Sequence, residues 1–276
     1  MTTGEFVTTI QIKRFNVNKK VLFSILMIPI LAVSTLASNL ANPATAIPEA
    51  RISMGASYHL GGYTISNREI PMIMNRIHGR ISYSPIKHVN FGVDLGAAQV
   101  NVDRYSVGRD TVPVFEGGYG FSGGAHLKLT SPSIMNRFCF IALAQGGMFF
   151  SENEPGALYG GKDGAAVLGV QVRIPKFGYV SFGPHLYIIN GENRSYEGNE
   201  SFYSNISNVR GWIAFDYFPK TEHLTKNKPY ISVEFTASPK ISSTSRVPVQ
   251  EFSLSISFGA VTPRLYGMEK EADNDF

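Results

Sequence analysis

The sequence predicts an all-β protein, a transmembrane antiparallel up-and-down β-barrel of about ten strands, with eight and twelve as the alternatives. Three observations predict it. Phe252, Leu254, Ile256 and Phe258 are apolar at every second position, with Glu251, Ser253, Ser255 and Ser257 between them. That period of two belongs to a strand with one apolar and one polar face. Roughly ten such stretches recur along the chain, the pattern of a barrel with lipid outside and polar groups inside. Ahead of them lies a basic and then apolar segment that reads as an export signal.

The elements follow in order. Lys13, Arg14, Lys19 and Lys20 precede the apolar run 21–36, and Ala44-Thr45-Ala46 supplies the small residues a signal peptidase pocket accepts. Residues 1–46 are read as a cleaved signal peptide, with cleavage after Ala37 as the alternative. The apolar run is shorter than the roughly 20 residues that span a bilayer as a helix, and it contains Pro29, which argues against a retained anchor. Strands are expected near 50–62, 76–84, 88–100, 116–130, 137–151, 163–174, 178–190, 206–218, 228–237 and 248–258. The barrel thus occupies 47–258, and 259–276 is expected to be a short periplasmic tail. The connections near 85–87, 131–136, 175–177 and 219–227 are tighter on average than those at 63–75, 101–115, 152–162, 191–205 and 238–247. Alternation of this kind suits short periplasmic turns and long outer loops, and an even strand number returns both termini to the periplasm.

A soluble antiparallel barrel shares the period of two, so the chemistry of the faces decides between them. In 89–96 the apolar set is Val89, Phe91, Val93 and Leu95, opposite Asn90, Gly92, Asp94 and Gly96. The second strand sets Ile77, Ile81 and Tyr83 against His78, Arg80 and Ser82. Tyr119, Phe121, Leu127 and Leu129 oppose Ser122, Gly124, His126 and Lys128, while Ile213, Phe215 and Tyr217 oppose Arg210, Trp212 and Asp216. Charges keep to one face, charged residues are 17% of the chain, and aromatics gather near strand ends. With the export signal, these put lipid on the apolar side.

Removing the signal takes four basic residues and Glu5 away, so 25 basic against 21 acidic residues becomes 21 against 20. The basic balance belongs to the export segment, and no nucleic-acid partner is expected. Cys139 is the sole cysteine, which excludes an internal disulfide. No phosphate loop, H-E-x-x-H or G-x-S-x-G pattern is present, and the Gly-rich stretch 117–124 belongs to a strand.

The segment Gly79-Arg-Ile-Ser-Tyr-Ser-Pro-Ile-Lys-His-Val-Asn-Phe-Gly-Val-Asp-Leu-Gly96 resembles the strand, turn and strand of bacterial outer-membrane β-barrel proteins, the small OmpA-like or porin-like barrels. Residues 251–258 resemble their final-strand assembly signal, carried by Phe252, Leu254, Ile256 and Phe258. Here 18 residues follow Phe258, too few for the peptidoglycan-binding domain of some relatives. The resemblance implies the outer membrane of a Gram-negative cell. Its implied partners are outer-membrane lipid including lipopolysaccharide, the barrel-assembly machinery, and an extracellular ligand at the loops.

The inward face is expected to hold a charge network of Arg51, His59, His78, Arg80, Asp94, His126, Lys128, Arg173, Arg210, Asp216, Glu234 and Glu251, with Gln171 and His185 beside them. Arg80 and Asp94 lie on adjacent strands and suit a pair. About ten strands make a lumen narrow enough for side chains to fill, so the expected function is structural or surface interaction around a constricted polar lumen, without a cofactor. A small-solute or ion pore is one alternative. The other is a rim enzyme hydrolysing lipid or peptide, in which His59, His78 and Glu251 meet near the outer rim as general base or zinc ligands. The loop 191–205, with Tyr196, Phe202 and Tyr203, reads as an aromatic girdle ahead of a recognition surface.

Overall fold

In a computed structural model, residues 49–265 are described apart from 66–69, 108–109, 113, 136, 176, 196–197, 204–208, 220–226 and 242–247. The strands are β1 (Arg51–Ile65), β2 (Ile70–Ile86), β3 (Val89–Val102), β4 (Tyr105–Val107), β5 (Asp110–Val112), β6 (Phe115–Glu116), β7 (Gly120–Thr130), β8 (Phe138–Glu152), β9 (Leu158–Ile174), β10 (Gly178–Ser195), β11 (Gly198–Tyr203), β12 (Val209–Tyr217), β13 (Lys228–Ile241) and β14 (Pro248–Val261). Ten of them close into a ring, β1-β2-β3-β7-β8-β9-β10-β12-β13-β14, in which β14 pairs with β1 and every neighbour is antiparallel. Closure removes the unpaired edges that an open sheet would present. β4 and β5 form a separate hairpin, β6 pairs with β3, and β11 folds back to pair antiparallel with the outer end of β10.

Which face points inward follows from residue parity. On β3, Phe91, Val93 and Leu95 are exposed on the outer surface and Leu95 is 61% accessible, while Asn90 and Asp94 are enclosed. Ile77 and Ile81 on β2, Phe182 and Ile188 on β10, Ile213 and Phe215 on β12, and Ile256 and Phe258 on β14 also face out. The outer apolar row of β3 runs from Val89 to Ala97, roughly 27 Å of strand at about 3.4 Å per residue. At a tilt of about 40° that becomes roughly 20 Å, close to the belt of a membrane barrel. A surface this apolar all round is accommodated by hydrocarbon, not by water.

On β2, β3, β9 and β10 the outward face gains polar residues towards the end opposite the termini. Outward positions become Asn75 on β2, Gln99 and Asn101 on β3, Lys162 on β9, and Asn190, Glu192 and Arg194 on β10. The inward positions of the same region turn apolar, and Met72, Met74, Val100, Val102, Phe115 and Phe149 pack into one cluster. The strands therefore outrun the sequence expectation. β1 continues to Ile65 and β2 starts at Ile70, within the expected loop 63–75; β9 starts at Leu158, β10 runs to Ser195, and β13 runs to Ile241. Pairing persists beyond the lipid-facing belt because the inward side chains still have a core to enter. At the other end β14 continues to Val261, three residues into the expected tail, as Gly259, Ala260 and Val261 pair with Gly55, Met54 and Ser53.

The expected strand 116–130 is broken instead. Gly117 N donates to Val100 O at 3.0 Å and Gly118 N to Glu152 O at 2.7 Å, so the chain passes from one neighbour to another before β7 begins. A Cβ on Gly117 would sit 2.0 Å from Ser151 Oγ, which is why this crossing needs glycine. The turn into β10 has the same demand at Gly178, whose φ of +130° is open to glycine alone.

Candidate functional site

The lumen between the two ends is filled by side chains, arranged in two tiers. The tier nearer the termini is polar. Arg80 Nε donates to Asp94 Oδ1 across β2 and β3, and His126 Nδ1 on β7 lies 3.3 Å from Asp94 Oδ2. Ser232 Oγ donates to Asp216 Oδ1 between β13 and β12. His78 Nε2 and Ser122 Oγ share a hydrogen bond of 2.9 Å, and Asn90 Nδ2 donates to Ser84 Oγ at 3.1 Å. Lys128 is fully enclosed in this tier. At its base Arg51 Nη1 donates to Thr262 O at 3.0 Å, while Arg173 lies half-buried near the end of β9 and Gln171 Nε2 donates to Ser181 Oγ at 2.9 Å.

The second tier crosses the barrel. Arg76 Nη2 on β2 donates to Asp163 Oδ2 on β9 at 2.6 Å, although β3, β7 and β8 intervene in the wall. Tyr187 Oη donates to the same carboxylate oxygen at 2.7 Å. The guanidinium of Arg76 lies 5.2 Å from the centroid of Phe149, and its Nε donates to Met74 Sδ at 2.8 Å. Tyr63 on β1 stacks on Tyr187 on β10 with centroids 4.6 Å apart, again with three strands, β14, β13 and β12, between them in the wall. Arg210 lies 5.2 Å from the Tyr63 ring and 5.1 Å from the Tyr187 ring. His59 Nε2 completes the group, 2.7 Å from Tyr63 Oη. Contacts that span non-neighbouring strands occupy the bore itself.

Sequence reasoning missed Arg76, Asp163, Tyr63 and Tyr187. Parity held part of the signal, because Arg76 continues the row of His78 and Arg80, and Tyr187 that of His185. The pairing of β2 with β9 side chains held none, since it depends on how far the sheet is sheared when it closes.

Neither histidine of the expected rim trio lies at a rim. His59 and His78 are 5% and 0% exposed, because β1 and β2 continue past them to Ile65 and Ile70, and their hydrogen bonds go to Tyr63 and Ser122. The Glu251 side chain lies outside the described residues, as do Tyr196 and the side chains of Phe202 and Tyr203. Among the described residues, no three His, Cys, Asp or Glu side chains are grouped to hold a metal ion. Glu234 is enclosed on β13 and lines a small cavity with His59, His185 and Arg210. On β14, Ile256 and Phe258 face out, Phe252 and Leu254 are half-buried, and Ser253, Ser255 and Ser257 face the lumen.

No protein-family model matches the chain, and no curated protein does. Among solved structures it is similar to the translocator domain of autotransporter NalP from Neisseria meningitidis, with a TM-score of 0.45 and 9% identity over 88% of this chain and 95% of that one. It is also similar to the outer membrane protease OmpT from Escherichia coli, at 0.38 and 12% over 82% and 98%. The CymD monoaromatic hydrocarbon channel follows at 0.28 and 11% over 82% and 92%. Likeness at this level says nothing of activity.

Proposed function

We propose that this chain is an integral outer-membrane β-barrel whose role is structural or interactive, with a lumen sealed against solutes. The observation that carries the reading is the cross-lumen tier, where Arg76 reaches Asp163 and Tyr63 stacks on Tyr187 over non-adjacent strands. A conducting barrel keeps its charged side chains against the wall and leaves water along the axis. Here opposite charges meet across the axis, with aromatic rings stacked beside them. The apolar belt supports a place among membrane lipids, lipopolysaccharide included, and the row ending at Phe258 is the segment we assign to recognition by the assembly machinery. Recognition of other molecules falls to the paired extensions beyond the belt, because exposed segments on a rigid barrel are free to vary without disturbing its core.

The test is conductance in planar bilayers, using protein expressed from its full sequence and extracted from membranes. The wild type is expected to be silent. Arg76→Ala combined with Tyr187→Ala shortens one side chain from each cross-lumen contact, and steady openings are expected to appear. Steady openings of the wild type overturn the sealed-lumen reading, and so does silence of a folded double variant.

A further inference from the structure

One enclosed space in the lumen has a chemistry of its own. A cavity of about 20 Å³ is lined by residues of β1, β9, β10, β12, β13 and β14, among them His59, His185, Arg210 and Glu234. Among the buried polar atoms of its lining that have no hydrogen-bond partner within the protein are His59 Nδ1, His185 Nδ1 and Glu234 Oε1. These residues are 5%, 4% and 4% exposed, so bulk solvent does not serve them either. A buried polar atom without a partner is costly, and several around one space are a strong demand for a shared ligand.

The lining selects the ligand by elimination. The Glu234 carboxylate disfavours an anion. The Arg210 guanidinium lines the same cavity and disfavours a cation. A neutral molecule remains, and it has to donate as well as accept: carboxylate oxygens only accept, whereas a neutral imidazole presents one donor and one acceptor nitrogen. The space is large enough for water, which needs at least about 10–15 Å³. We propose that the cavity is a structural water site, in which one water bridges His59 on β1, His185 on β10 and Glu234 on β13. The water donates to Glu234 Oε1 and exchanges hydrogen bonds with the two imidazoles. It thereby ties the Tyr63 and Tyr187 stack, through His59, to the wall beyond β12.

The test is a crystal structure of protein expressed from its full sequence, at a resolution that places waters. One peak is expected in the cavity, within about 2.6–3.2 Å of at least two of the three atoms. His185→Phe is expected to lose that peak, and Glu234→Gln, which keeps a polar partner, to retain it. A dry cavity, direct pairing among the three side chains, or persistence of the peak in His185→Phe overturns the proposal. So does a peak about 2.0–2.1 Å from the imidazole nitrogens with the anomalous signal of zinc. Should His185→Phe fail to fold, the wild-type density alone decides.

Discussion

Asp163→Ala is the most exacting perturbation of this barrel. The carboxylate accepts from Arg76 Nη2 at 2.6 Å and from Tyr187 Oη at 2.7 Å, and both side chains of the ion pair are enclosed, at 1% and 0% exposure. Removing it leaves a guanidinium buried without its counter-charge and a phenol without its acceptor. Breaking a buried pair by deleting one partner costs about 3–5 kcal/mol, most of it the uncompensated charge. The double variant Arg76→Leu with Asp163→Leu removes both charges and is expected to lie within about 1 kcal/mol of wild type, because apolar groups of similar volume replace such pairs at little net cost. The assay is urea unfolding in lipid vesicles, followed through Trp212, the one tryptophan of the chain, which is 3% exposed inside the lumen. An Asp163→Ala protein within about 1 kcal/mol of wild type, or a double variant whose loss equals the sum of the two single losses, refutes the cross-lumen pair as a coupled unit.

The belt makes a positional prediction. Leu95→Arg, in the middle of the outer face of β3 and 61% exposed, is expected to cost about 2–4 kcal/mol in vesicles, whereas Asn101→Arg on the same face beyond the belt is expected to cost about 0–1 kcal/mol; equal costs measured in the same unfolding assay would remove the belt boundary between them. Facing is checked by quenching with brominated lipids. Trp212 is expected to keep its fluorescence, and a tryptophan placed by Ile213→Trp in a Trp212→Phe background is expected to lose most of it, since adjacent strand residues point to opposite faces. Strong quenching of Trp212 by the lipid would reverse the assignment of the faces.

The faces, the strand number and the order of neighbours were legible in the sequence because parity is local: Val93 and Asp94 declare opposite sides without any knowledge of the fold. Strand ends were less legible. The expected second strand began at 76 and the expected third ended at 100, yet pairing runs on to Ile70 and Val102. Beyond the belt, strand and loop share a polar outer composition, and only the inward Met72, Met74, Val100 and Val102 give the strand away. The break at Gly117 and Gly118 was hidden for a related reason, since glycine suits both a packed strand and a change of partner. The partner of Arg76 could not be read at all. Its distance in sequence from Asp163 is set by nothing local, and the shear of the closed ring brings the two together. His59 and His78 were placed at a rim because the strands were drawn too short; lengthening them moves both rings into the interior.

The reversal along β2, β3, β9 and β10 carries a consequence for where water lies. In the belt the rule is apolar outside and polar inside, as for Phe91 and Asp94 or Ile213 and Asp216. Past the belt it inverts, with Asn75, Gln99 and Asn190 outside and Met74, Val100 and Ile189 inside. Neither arrangement suits the other's solvent: a lipid-facing Lys162 would strand a charge in hydrocarbon, and a polar interior beneath a wetted wall would forgo the burial that holds the extension together. One continuous sheet is therefore built for two media, and the row of Asn75 and Gln99, which hydrogen-bond each other at 3.3 Å on the outer face, marks where one gives way to the other. The apolar cluster of the extension reaches inward to Tyr63 and Tyr187, so neutralising the Arg76–Asp163 pair alone leaves the stacked rings in place. That is why opening the lumen requires Tyr187 to be shortened together with Arg76: one change removes the charge that crosses the bore and the other breaks the ring stack beside it.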